Sequence, residues 1–291
     1  MKHNIDISML LATRGRTRAL DTAVHSVFEM ASRPDRVEIF LAFDKDDEVG
    51  LTHWQHHLKP WMDERQFKYT AMRFDPMGYV RLHEYNNAMA KHASGEWLVI
   101  WNDDAVMQTQ SWDQRIMDYE DKFRLLAFKT HNLHPYSIFP IVPRKWFEIL
   151  GYISPHQAQD AWVSQQAYML DIWERIEVDV LHDRYDLTGK NLDPTYQKRA
   201  MLEGRPDDPL DFHSVQQMGL RHRDAATLAT YLRNELGYNL TFFENVFAGK
   251  QDPWEKLAKN DVNRQMVQFD NPHRHFPKTL QTPMSTAESV S

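Results

Sequence analysis

Gly95-Glu96-Trp97-Leu98-Val99-Ile100-Trp101-Asn102-Asp103-Asp104-Ala105-Val106-Met107 is the stretch that decides the fold. Trp97 to Trp101 is an unbroken apolar run, the pattern of a short strand buried on both faces of a parallel sheet. The run stops at Asn102, Asp103 and Asp104. Two adjacent carboxylates at the tip of a buried strand repel each other and need a compensating positive group, for which a hard divalent cation with oxygen ligands is suited. The C-terminal ends of strands in an open α/β sheet are also where ligands bind. Asp and Asn are equally ordinary turn residues, so the triplet alone reads either as a ligand site or as a polar turn.

Upstream, residues 5–12 read as a first strand that runs into Thr13-Arg14-Gly15-Arg16-Thr17-Arg18. Residues 19–31 follow with helical spacing, placing Leu20, Val24, Val27 and Phe28 on one face. A glycine turn at a helix start with arginines around it holds an anion through backbone N–H groups, the helix dipole and guanidinium donors; otherwise it is a solvated basic turn. Residues 37–43 read as a second strand ending in Asp44, residues 51–62 as a helix, 67–74 as a third strand and 82–92 as a helix stopped by Ser94-Gly95. This alternation predicts right-handed βαβ units and a mostly parallel sheet flanked by helices.

Downstream, residues 112–122, 144–150 and 158–170 read as helices, and 125–130, 138–142 and 175–181 as strands. Asp160 falls in the first turn of its helix, where the dipole favours an ionised carboxylate. His182 follows the last strand. The expected organisation is a domain over residues 1–190, a helical C-terminal extension over 191–270 with an amphipathic stretch at 225–236, and a flexible tail over 271–291 rich in Pro, Ser, Thr and His.

The 291 residues, 42% hydrophobic and 26% charged, suit a globular chain with a sizeable core. The net charge of −7 speaks against a large basic nucleic-acid surface, though not against a local groove formed by Arg221, Arg223 or Lys250. With no Cys, neither disulfides nor thiolate chemistry contribute. No apolar run approaches the roughly 20 residues of a membrane span, and residues 1–6 enter a strand without a signal-peptide core. A soluble cytoplasmic protein is the expectation.

The order of these features resembles the GT-A nucleotide-sugar glycosyltransferases, especially the small inverting enzymes of glycosyltransferase family 2, over residues 5–186. Ser8-Met9-Leu10-Leu11-Ala12-Thr13-Arg14-Gly15-Arg16 is similar to the family's first strand and nucleotide-binding loop. Phe40-Leu41-Ala42-Phe43-Asp44 resembles the second strand with its nucleoside-contacting Asp. Asn87 to Asp104 resembles the helix, the turn (here Ala93-Ser94-Gly95-Glu96) and the metal-binding Asp-x-Asp strand, with Asn102 where the family usually has Asp. Pro143 to Tyr152, then Gln159-Asp160, resembles the stretch before the acceptor-side catalytic carboxylate.

The resemblance implies a GT-A (Rossmann-like) fold and an inverting, metal-dependent transfer of a sugar from a nucleoside-diphosphate donor, UDP-linked by default, to a hydroxyl acceptor. That acceptor would be a glycan or a hydroxylated DNA base, among other candidates. It implies Mn²⁺ or Mg²⁺ on Asp104, with His182 as a further ligand, and Asp160 as the base. Thr13, Arg14, Arg16, Asp44, Arg81, Asn102 and Asp103 would contact the donor. Trp162, two residues from Asp160, is either core or an acceptor contact. Two alternatives stand beside this: a nucleotidyltransferase, although residues 13–18 carry one Gly and no Lys, and a nucleotide- or carbohydrate-binding module without catalysis.

Overall fold

The computed structural model describes residues 5–130, 136–183, 212 and 214–252. The elements are β1 (Ile7–Thr13), α1 (Thr17–Glu29), β2 (Val37–Asp44), α2 (Glu48–His53), α3 (Lys59–Glu64), β3 (Lys68–Phe74), α4 (Leu82–His92), β4 (Trp97–Asn102), β5 (Ala105–Met107), α5 (Trp112–Met117), β6 (Leu125–Thr130), β7 (Ile141–Pro143), α6 (Arg144–Leu150), α7 (Gln159–Leu170), β8 (Trp173–His182), α8 (Val215–Leu236) and α9 (Thr241–Phe247). A π-helical turn, Trp54–Leu58, joins α2 to α3.

The eight strands form one sheet in the order β3-β2-β1-β4-β7-β6-β8-β5. The β3-β2-β1-β4 half is parallel throughout. Beyond β4, strands β7 and β5 run antiparallel to their neighbours, while β6 and β8 pair in parallel. The sheet is therefore mixed and mostly parallel.

Successive strand side chains point to opposite faces, and both faces are covered. Ile7, Met9 and Leu11 of β1 join Trp97, Val99 and Trp101 of β4 in one apolar cluster, with Leu20, Val24, Val27 and Phe28 of α1 packed on it. Leu10, Leu98 and Ile100 face the other way, toward Tyr85, Met89 and Ala90 of α4. That second cluster also takes in Trp146 of α6, Trp162 and Val163 of α7, Ala225, Leu228 and Leu232 of α8, and Phe243 of α9. The two C-terminal helices thus share the apolar layer that covers the sheet.

The turn into β4 is held closely. The Gly95 backbone N–H donates to Ser8 Oγ at 2.8 Å, and a Cβ at Gly95 would lie 2.7 Å from the Ser8 backbone nitrogen. Only glycine lets the α4–β4 turn approach β1 this tightly.

Several expectations need correction. The helix expected to run to residue 122 ends at Met117; beyond it Tyr119, Glu120 and Lys122 donate three residues back, forming turns rather than continuing the helix. The strand expected over 138–142 is confined to Ile141–Pro143, with the Pro140 carbonyl accepting from Ile100 N–H just ahead of it. Strand β5 was not expected; its three residues are too few to show a period. Helix α8 begins ten residues before the amphipathic stretch expected at 225–236. The expected tail lies outside the described residues. No helix among the described residues is long and apolar enough to cross a membrane.

Candidate active site

Parallel pairing sets Ala12 of β1 opposite Asn102 of β4. The next residue on each strand therefore leaves the sheet at the same place. Thr13 Oγ1 donates to Asp103 Oδ2 at 2.7 Å, and Arg16 Nη1 donates to Asp103 Oδ1 at 2.8 Å. Both oxygens of Asp103 are thus held by the β1–α1 loop. The same guanidinium nitrogen stands 3.6 Å from Asp104 Oδ2.

Asp104 is placed by the opposite edge of the sheet. Strand β5 starts at Ala105, paired antiparallel with His182 at the end of β8. The Asp183 N–H donates to the Asp104 carbonyl at 2.7 Å, which clamps the two strand ends. Asp104 Oδ1 then faces His182 Nε2 at 3.5 Å. Both atoms are buried, and neither has a hydrogen-bond partner among the described residues; the same holds for His182 Nδ1. The Phe139 ring packs edge-on against the imidazole at 5.0 Å between centroids.

The electrostatics separate the two acids. Burial, partly offset by Arg16 and reinforced by the neighbouring charge of Asp104, raises Asp103 to about 6. Burial also opposes ionisation of Asp104, but His182 and Arg16 outweigh it and hold this carboxyl below its ordinary value. The acid that ionises more readily is the one whose Oδ1 lacks a hydrogen-bond partner among the described residues.

A divalent cation fits this donor set. A carboxylate oxygen and an imidazole nitrogen, both buried, 3.5 Å apart and without a hydrogen-bond partner among the described residues, suit Mn²⁺, and the oxygen suits Mg²⁺. Among the described residues no group of three or more acidic or imidazole side chains converges as a metal cage. Two protein ligands would leave the remaining coordination positions to oxygens of a bound phosphate and to water, the usual habit of such cations at phosphate sites.

A second cluster borders the first. Asp44, at the end of β2, accepts from Arg14 Nη1 at 2.7 Å and from the Tyr85 hydroxyl of α4. Arg14 also forks onto Asp46, with bonds of 2.5 and 2.9 Å. Asp46 and Asp44 therefore hold the guanidinium above its ordinary pKa. Burial together with Asp44 pushes Tyr85 up to about 12. The Gly15 N–H, where the chain has φ +70°, donates to Asp47 Oδ2 at 2.9 Å. The acids after β2 thus hold the loop after β1.

Helix α7 is buried along its whole length except at Asp160, which is half-buried in the first turn. Its back is fixed by α8: Asp224 accepts from Trp162 Nε1 at 3.2 Å, Gln166 Nε2 at 3.1 Å and the Tyr152 hydroxyl at 2.8 Å. Trp162 is fully buried in this contact and belongs to the core, which removes it as a surface that an acceptor could stack on.

The structure therefore brings Thr13, Arg16, Asp103, Asp104 and His182 to one point, with Asn102 half-buried at the end of β4, and joins Arg14 to Asp44 beside them. Arg81 is not drawn into either cluster; its guanidinium pairs with Glu84 one turn along α4, on the surface. Arg221, considered for an exposed basic groove, is buried, donates to the Phe212 carbonyl at 2.8 Å and lies over the Phe212 ring at 3.9 Å. Tyr85 and Asp224 were not anticipated. Asp224 left a trace in the sequence as an acid directly beside the apolar row Ala225, Leu228, Leu232. Tyr85 left none.

No protein-family model and no curated protein matches the chain in sequence. Compared by structure, the chain is similar to S. aureus TarS 1-349 in complex with UDP-GlcNAc, with a TM-score of 0.59 and 10% identity, over 95% of this chain and 83% of that one. It is also similar to the mannosyltransferase PcManGT from Pyrobaculum calidifontis in complex with GDP-Man and Mn²⁺, with a TM-score of 0.52 and 12% identity, over 96% of this chain and 85% of that one. At such identities the likeness is one of fold, and the fold is that of the GT-A glycosyltransferases.

Proposed function

We propose that the chain is a metal-dependent, inverting glycosyltransferase that moves a sugar from a nucleoside-diphosphate donor to a hydroxyl acceptor. The observation that carries this reading is the buried, unbonded pair of Asp104 Oδ1 and His182 Nε2 at the C-terminal end of β4. The similar structures hold UDP-GlcNAc in one case and GDP-Man with Mn²⁺ in the other, which supports a nucleotide-sugar donor and a divalent cation without choosing the base.

Each residue has a role within that reading. Asp104 and His182 hold the cation, Mn²⁺ or Mg²⁺, which when bound offsets charge on the departing diphosphate as a Lewis acid. Arg16 offers guanidinium donors to phosphate oxygens, as planar forks do well. Asp44, with Arg14 and Tyr85 against it, receives the nucleoside. Asp103, fixed on both oxygens, orients the loop and faces the sugar. Asp160 takes the proton from the acceptor hydroxyl as its oxygen attacks C1, and the bond from C1 to the diphosphate breaks with its electron pair leaving on the diphosphate. One displacement inverts the anomeric centre, so no covalent nucleophile is needed.

The test is turnover. With Mn²⁺ and a panel of UDP- and GDP-sugars, nucleoside diphosphate should be released from at least one donor, slowly to water and faster with a matching acceptor. Release should be lost in Asp104→Asn. Absence of release together with absence of binding by both UDP and GDP contradicts the proposal.

A further inference from the structure

We infer that Arg16 is a resident counter-ion that guards the cation position until a diphosphate arrives, so that cation and nucleotide enter the site together. This rests on the reading of Asp104 and His182 as cation ligands. The buried acids need positive charge, and among the described residues Arg16 reaches both: Nη1 lies 2.8 Å from Asp103 Oδ1 and 3.6 Å from Asp104 Oδ2. Its neighbour Arg14 is directed instead to Asp44 and Asp46. The Arg16 side chain is 21% exposed, against 7% and 10% for the two carboxylates, so it forms the solvent side of the cluster.

A divalent cation placed against Asp104 Oδ1 would sit close to that guanidinium, and like charges at a few ångströms in a poorly solvated site repel strongly. The free cation therefore binds weakly while Arg16 faces the carboxylates. A diphosphate changes the balance. It supplies oxygens that the guanidinium fork can take in place of the acids, and its charge cancels the repulsion. Binding of either ligand then favours the other by the same factor. The two affinities should accordingly respond in opposite directions when the Arg16 charge is removed.

The experiment measures Mn²⁺ binding alone by the electron paramagnetic resonance signal of free Mn²⁺, and UDP and GDP binding in saturating Mn²⁺ by calorimetry. Arg16→Gln should bind Mn²⁺ alone about tenfold more tightly than the wild type and bind the preferred nucleotide at least tenfold more weakly. Arg16→Lys keeps the charge and should bind Mn²⁺ alone within about threefold of the wild type. The inference is overturned if Arg16→Gln binds Mn²⁺ alone no more tightly than the wild type, or if Arg16→Lys binds it about tenfold more tightly. Should Arg16→Gln fail to fold, Arg16→Met, which also removes the charge, carries the same expectation and the same overturning result. If the wild type binds no Mn²⁺ even with nucleotide, the ligand assignment itself fails; if Mn²⁺ binds with nucleotide but the substitutions leave its affinity unchanged, only the guarding role of Arg16 fails.

Discussion

His182 Nε2 stands 3.5 Å from Asp104 Oδ1, both atoms buried and without a hydrogen-bond partner among the described residues. Unmade hydrogen bonds at buried polar groups cost about 1–3 kcal/mol each. Folded proteins keep few of them, and those they keep call for an explanation such as an ion or a catalytic role. Here the antiparallel pairing of β5 with β8 and the Asp183 to Asp104 backbone bond fix the two side chains where they are. A bound cation would relieve the cost, and the measurements below follow from that arrangement and its neighbours.

Asp103 links stability to pH. Its carboxyl is raised to about 6, chiefly by burial, so the folded state takes up its proton before the unfolded chain does. Through the window from about pH 6 down to the unfolded value near 4, this acid therefore favours the fold increasingly as pH falls, and at pH 7.5 the ionised group weighs against it. In metal-free protein the stability of the wild type relative to Asp103→Asn should be greater at pH 5 than at pH 7.5, by about 1.4 kcal/mol, the equivalent of the one pKa unit between pH 6 and pH 5. Urea unfolding at the two pH values checks this; a difference of the opposite sign contradicts the environment described for Asp103.

Asp160→Asn separates binding from transfer. The side chain lies at the half-exposed end of an otherwise buried helix. Its replacement should lower the transfer rate by about 10²–10⁴, the usual contribution of a general base. The affinity for nucleotide with Mn²⁺ should change less than about twofold. Steady-state kinetics beside calorimetry reads both, and retained transfer removes Asp160 from the mechanism.

Asp224→Ala should destabilise the fold rather than the site. It leaves the Trp162 and Gln166 donors and the Tyr152 hydroxyl without their common acceptor. A loss of about 2–4 kcal/mol in urea unfolding is expected, since more than one buried donor is orphaned. An unchanged midpoint would mean that α8 does not fasten α7.

The parts of this structure that were legible in the sequence are those governed by local rules. Trp97 to Trp101 has the pattern of a doubly buried strand, and β4 occupies it; Leu82 to His92 is followed by a Ser-Gly stop, and α4 occupies that span. Thr13, Arg16, Asp103 and Asp104 could be grouped through the family resemblance, and the parallel β1–β4 pairing brings them together. What was illegible depends on contacts far apart in the chain. Strand β5 exists because β8 returns beside it. Tyr85 reaches Asp44 across 41 positions, and no spacing announces that. Whether Trp162 is core or an acceptor contact could not be read from its spacing to Asp160; α8, about sixty residues later, covers it with Asp224 and Arg221.

The central claim is that Asp104 and His182 hold a divalent cation beneath a nucleoside diphosphate. The most direct measurement is the melting temperature with Mn²⁺ and UDP or GDP, each ligand alone and together, for the wild type, Asp104→Asn and His182→Ala. A ligand at about 100 times its Kd stabilises by about 2.7 kcal/mol, a rise of a few degrees in a domain of this size. The wild type should show that rise with one nucleotide only when Mn²⁺ is present, and both variants should lose the Mn²⁺-dependent part. An equal rise in Asp104→Asn and His182→Ala, or no rise in the wild type with either nucleotide, would contradict it.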